Sequence, residues 1–91
     1  MTRMKARMEE KLKKRFDPVE LTVDDVSEQH RGHAGYRDGG ETHFDVHIVA
    51  DAFTGESRVA RQRAVMAAVR DELAQRVHAL SIIARAPDDP R

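Results

Sequence analysis

Between Thr42 and Ala50 every second residue from Phe44 on is apolar, and the same alternation returns after Arg76, with a helical pattern between the two. That order of strand, helix and strand constrains the chain more than any other feature. It predicts two parallel strands of one sheet, joined by a right-handed crossover. In the first, Phe44, Val46, Ile48 and Ala50 share one face, and His43, Asp45, His47 and Val49 the other. In the second, Leu80, Ile82 and Ala84 face away from Ala79, Ser81, Ile83 and Arg85, and His78 shares the apolar parity at the strand's start. Between them "DAFTGES", 51–57, reads as a turn, and Ser57 is placed to cap a helix running to about Gln75. Val59, Met66, Val69 and Leu73 are the predicted apolar stripe of that helix.

Ahead of this unit, Met4, Met8, Leu12 and Phe16 recur every fourth position and predict a helix over 2–16, which "DP" at 17 and 18 ends. Val19, Leu21 and Val23 then alternate with polar residues as a half-buried strand, expected to pair antiparallel with the next. The predicted fold is α+β: helix, strand, strand, helix, strand, a three-stranded mixed sheet covered on one face by helices. We expect one domain over 1–86, followed by a flexible tail at 87–91 that frays.

The chain has 91 residues and no apolar run approaching the ~18 needed to cross a bilayer, so it reads as one small cytoplasmic domain with no membrane role. Its 16 basic and 16 acidic residues cancel, so no global field recruits nucleic acid. The first helix is nevertheless locally basic, with Arg3, Lys5, Arg7, Lys11, Lys13, Lys14 and Arg15 against Glu9 and Glu10. Pairing of those two acids with lysines on a solvated face is the plainer expectation there. No cysteine is present, which removes disulfides, thiolate nucleophiles and any all-cysteine metal centre built by this chain alone.

Four of the five histidines lie in "HRGHAGYRDGGETHFDVH", residues 30–47. The segment from about 28 to 40 holds all but one of the glycines and no apolar period, a loop long for its place. His43 and His47 share a strand face, with Asp45 between them as a conceivable third zinc ligand. "GHAG" at 32–35 is formally the Gly-x-x-Gly clamp of KH domains, but it lies between two strands rather than two helices. Phe16, Phe44, Phe53 and Tyr36 are the only aromatic residues, and the phenylalanines read as core or turn anchors, so no base-stacking platform is evident. Ser27, Ser57 and Ser81 have no recognisable histidine and acid arrangement beside them, and no catalytic residue is assigned. The chain reads as a binding protein rather than an enzyme.

Residues 39–82 carry a set of motifs that belong together: "ETHF" entering the second strand, "FTG" at 53–55, Arg61 and Arg63 in the second helix, "DEL" at 71–73 and "VHAL" at 77–80. In these the chain resembles the BolA family, and the first helix and the histidine and glycine loop fit as well. One position departs from the family pattern, which usually has Arg-His-Arg in the second helix; the centre here is Gln62.

The resemblance implies a KH-like domain of class II and two kinds of activity. One is partnership with a monothiol glutaredoxin in a heterodimer that binds a bridging [2Fe–2S] cluster, for cluster trafficking, assembly or iron and redox sensing. The glutaredoxin cysteine and glutathione supply sulfur, and this protein supplies imidazole; alone it would be a cofactor-free monomer. On that pattern His78 is the expected metal ligand, and the loop offers a second in His33, with His30 in reserve and His43 as a support or substitute. Neutral imidazole is the ligating form, and its reference pKa of ~6.5 predicts that acid weakens such a complex. The alternative is a DNA-binding transcriptional regulator of stress response and cell morphology, with Arg58, Arg61 and Arg63 on phosphates.

Overall fold

Helix α1 spans Met4–Phe16 and buries Met8, Leu12 and Phe16, with Met4 packed partly against the same core, as the four-residue spacing requires. The computed structural model describes residues 3–27 and 40–89. Lys13, Lys14 and Arg15 occupy the last turn of α1, where cations are favoured by the exposed carbonyls. Asp17 ends the helix in the left-handed region at φ 47°, its N–H returning to Lys13 O.

Strands β1 (Glu20–Asp25), β2 (His43–Val49) and β3 (Ala79–Arg85) form one sheet in that order. β2 is central, antiparallel to β1 with Val23 opposite Val46, and parallel to β3 with Val46 opposite Ile82. The α+β order and the mixed pairing expected from the alternation are both present. Phe44, Val46, Ile48, Val23 and Ile82 point into the core beneath the helices. The alternation extends back to Val19 but the cover does not, and Val19 is 63% exposed rather than inward. On the other face His43 is buried at 4% exposure, not a solvated strand residue as its parity suggested.

After β2 a single 3-10 turn, Asp51–Phe53, sends Phe53 into the core, where its ring centroid lies 5.0 Å from that of Phe16. Ser57 caps the following helix by accepting the Ala60 N–H. The crossover is not one helix to Gln75 but two, α2 (Arg58–Ala68) and α3 (Arg70–Gln75), separated at Val69 with φ −113° and ψ 25°. The predicted stripe is corrected with it. Val65 and Val69 are buried with Ala64, Ala68 and Leu73 against them, whereas Val59 and Met66 are 57% and 44% exposed. The alanines that complete the true stripe are too small to have weighted the pattern. The bend at Val69 leaves Glu72 fully buried between Arg7 and Lys11 of α1.

The segment expected to fray is anchored as far as Asp89, whose carboxylate accepts the Ala86 N–H and pairs with Arg61. Arg61 holds that carboxyl below its ordinary range, with the Ala86 N–H adding to the effect. Among the described residues no helix is long and apolar enough to cross a membrane.

Candidate functional site

β1 ends and β2 and β3 begin at the same end of the sheet, and there the flanks of segment 28–39 are bound to one another. Asp25 makes a local turn in which its Oδ1 accepts both the N–H, at 2.9 Å, and the hydroxyl of Ser27. Its Oδ2 accepts the Glu41 N–H at 3.1 Å from the far flank. Ser27 Oγ in turn accepts the N–H groups of Thr42 at 2.9 Å and His43 at 3.2 Å. Burial alone would raise the Asp25 pKa, but the Ser27 hydroxyl, the Ser27 N–H and the Glu41 N–H outweigh it and hold the carboxyl below its ordinary range.

Gly40 joins the far flank to this knot. Its φ of +74° suits glycine, and an added Cβ would lie 3.3 Å from Asp25 Oδ2. Arg76, just past α3, donates from Nε and Nη2 to Gly40 O at 2.9 and 2.7 Å. The Met4 N–H reaches Glu41 Oε1 at 2.8 Å, so the start of α1 leans on the same corner.

His78 stands exposed in the link between α3 and β3, and its backbone N–H bonds Thr42 O at 2.7 Å. Its ring centroid is 5.4 Å from that of His43, whose Nδ1 lies 2.9 Å from Thr42 Oγ1. A groove of about 270 Å³ lined by Val26, His43, Phe44, Asp45, Ala79, Leu80 and Ser81 runs beside them. Two of the histidines singled out in the sequence therefore meet. His33 and His30 lie outside the described residues, in a segment whose two flanks end in this corner.

The zinc reading of His43, Asp45 and His47 fails. His43 is buried and bonded to Thr42, Asp45 is exposed opposite Asp24, and no group of three or more such side chains among the described residues could hold a metal ion. Arg61 is likewise committed inside the fold, donating to Glu56 O and Ala84 O besides its pair with Asp89, while Arg58 and Arg63 are exposed. Gln62 donates its amide to Ile82 O at 2.7 Å, a structural role that needs no imidazole. Sequence reasoning did not find Asp25, Thr42, Gly40 or Arg76. The Asp-x-Ser turn at a strand end was the one local signal available for the first.

The two histidine rings here offer nitrogen, with the Asp45 carboxylate in the adjoining groove. Among the described residues they do not make up a metal site by themselves. The family profile described as BolA-like protein matches residues 12–89. This chain belongs to the BolA-like family. Among its relatives, SufE-like protein 1 of Arabidopsis thaliana is 54% identical over 85 residues, covering 89% of this chain and 23% of that protein. Protein BOLA1 of the same plant is 49% identical, covering 92% and 54%. The chain thus spans about a quarter of the first relative and about half of the second. The DNA-binding transcriptional regulator BolA of Escherichia coli is 42% identical over 79 residues, covering 87% of this chain and 71% of that one. The solved structure of the Arabidopsis BolA1 superposes with a TM-score of 0.85 at 44% identity, covering 99% of this chain and all of that one.

Proposed function

We propose that this BolA-like protein pairs with a monothiol glutaredoxin and holds a [2Fe–2S] cluster as cargo between the two, His78 and a histidine of segment 28–39 giving nitrogen while the partner's cysteine and glutathione give sulfur. The observation that carries the reading is the corner itself: exposed His78 stands where both flanks of the segment bearing His33 and His30 are tied down, next to a second imidazole. His33 is the favoured second ligand and His30 its substitute. Replacing thiolate by imidazole removes negative charge from the centre, which favours passing the cluster on over keeping it.

Mixing the protein with a cluster-loaded monothiol glutaredoxin and glutathione tests this by visible absorption and circular dichroism. The charge-transfer bands should change on mixing, and His78→Ala should fold normally yet give a labile cluster. Unchanged bands on mixing, or bands indifferent to His78→Ala, would falsify the assignment.

A second reading rests on the relative named as a DNA-binding regulator and on exposed Arg58 and Arg63 of α2. Phosphate binding there requires affinity that falls steeply with salt and survives His78→Ala. Salt-insensitive binding, or none, eliminates it.

A further inference from the structure

From Ser57 to Arg70 the chain has four arginines and no acidic residue, although its 16 basic and 16 acidic side chains cancel overall. Arg61 is spent inside the fold, which leaves Arg58 and Arg63 of α2 and Arg70 of α3 exposed. Among the described residues none of these three is ion-paired. Seven residues apart, Val59 and Met66 stand two turns from each other on one face of α2, and both are exposed. Beside α2 a groove of about 350 Å³ separates it from the edge strand β3, with Arg58, Arg61 and Gln62 on one wall and residues 82–85 on the other. Ile83 is exposed at that second wall, and among the described residues no acidic side chain lines the groove. Three of the four large apolar side chains exposed among the described residues, Val59, Met66 and Ile83, thus lie on α2 or on the strand facing it. Apolar side chains gathered this way inside a polar rim mark an interaction surface.

The chemistry of the surface selects its occupant. A second copy of α2 would bring arginine against arginine. A nucleic-acid backbone would satisfy the arginines but leave Val59 and Met66 against phosphate. A strand added to β3 would meet an edge whose Ile82 O and Ala84 O already accept from Gln62 and Arg61. A helix that is apolar along one stripe and acidic beside it meets none of these objections. We propose that α2 and its groove dock an acidic amphipathic helix of a protein partner, with Val59, Met66 and Ile83 as anchors and the exposed arginines setting its register. Because Arg61 and Gln62 are already held by β3, docking orders little of the groove wall. The surface lies toward the end of β3 away from His78, which precedes the strand, so the proposal does not rest on the function proposed above.

The probe is a synthetic helix-forming peptide of about 15 residues, with leucines along one face and glutamates beside them. Titrated into the ¹⁵N-labelled chain, it should shift the amide resonances of α2 and of residues 82–85 and leave that of His78 in place. No shift in α2 at about 1 mM peptide, an affinity too weak to count as recognition, overturns the proposal. A control peptide of the same composition, its leucines scattered round the helix, should bind at least about 10-fold more weakly. Equal binding would reduce the attraction to charge alone and overturn the amphipathic fit.

Val59→Gln combined with Met66→Gln alters only exposed side chains and keeps good helix formers, so the variant should fold. It should weaken the first peptide about 10-fold or more, and undiminished binding would show that the anchors lie elsewhere and sink the proposal. Arg63→Glu should also weaken the peptide and make its binding less sensitive to salt; an unchanged affinity would remove the arginines from the docking surface. Duplex DNA is the competing probe. If DNA shifts the same α2 amides at lower concentration than the peptide, and does so equally in the double glutamine variant, the surface belongs to the nucleic-acid reading and the acidic helix is overturned.

Discussion

Glu72 and Asp25 are both fixed carboxylates, but one is surrounded by charge and the other by neutral donors. Glu72 is fully buried, and its Oε2 lies 2.9 Å from both Arg7 Nη2 and Lys11 Nζ. Such a buried ion triad adds little net stability over an apolar replacement of the same shape, but it penalises any arrangement of α1 and α3 that separates the partners. Asp25 instead gathers two N–H groups and a hydroxyl, and through Ser27 and Thr42 its orientation reaches an imidazole. Charge pairing locates helices with respect to one another. Neutral donors gathered on one carboxylate tie the flanks of a loop together.

The largest expected effect comes from breaking the charged region. Glu72→Ala should lower stability by about 3 kcal/mol in urea denaturation, because it leaves a cavity, takes from Arg7 its carboxylate and leaves Lys11 only Asp71. The same variant should leave the His43 ring resonances in place, and a shift there would show that the two regions are not separable. Asp25→Ala should cost less, about 2 kcal/mol, the range for losing hydrogen bonds to an ionised group. It should also speed amide exchange at Glu41.

The pH response sharpens the contrast. Asp25 has a folded pKa below its unfolded value, so its stabilisation is complete above the unfolded pKa of ~3.9 and is lost as pH falls through the lower folded value. Asp25→Asn should therefore flatten the acid limb of a stability profile below about pH 4, and an unaltered limb would mean the carboxylate is not held as described. The smallest effect belongs to a single neutral bond outside both regions. Gln62→Ala, which releases Ile82 O, should cost about 1 kcal/mol in the same urea experiment, and a cost as large as that of Glu72→Ala would erase the distinction.

The sheet was legible because its alternations are long and its core residues large. Phe44, Val46, Ile48 and Ile82 announce their face whatever surrounds them. α2 was misread where the stripe depends on Ala64 and Ala68, since small residues carry burial without carrying a hydrophobic signal. The bend at Val69 was invisible for a related reason: it answers to Glu72 meeting Arg7 and Lys11, partners more than 60 residues away in sequence. At the candidate site, His78 was singled out through motif resemblance and not through spacing. Arg61 looked like a phosphate contact because sequence cannot show that Asp89 and two main-chain oxygens already claim it. His43 looked exposed because parity on a strand names a face but not what lies above it.

β3 is an edge strand, and two of its main-chain oxygens are already taken: Gln62 donates to that of Ile82 and Arg61 to that of Ala84, while Asp89 accepts the Ala86 N–H. A foreign strand seeking to extend the sheet at this border would first have to dislodge three side chains. From Ile82 to Ala86 the border thereby resists templated growth, including the runaway self-association to which bare strand edges are prone. Along that stretch a main-chain ladder that any sequence can join is disfavoured, whereas the end of the sheet offers side chains of particular chemistry.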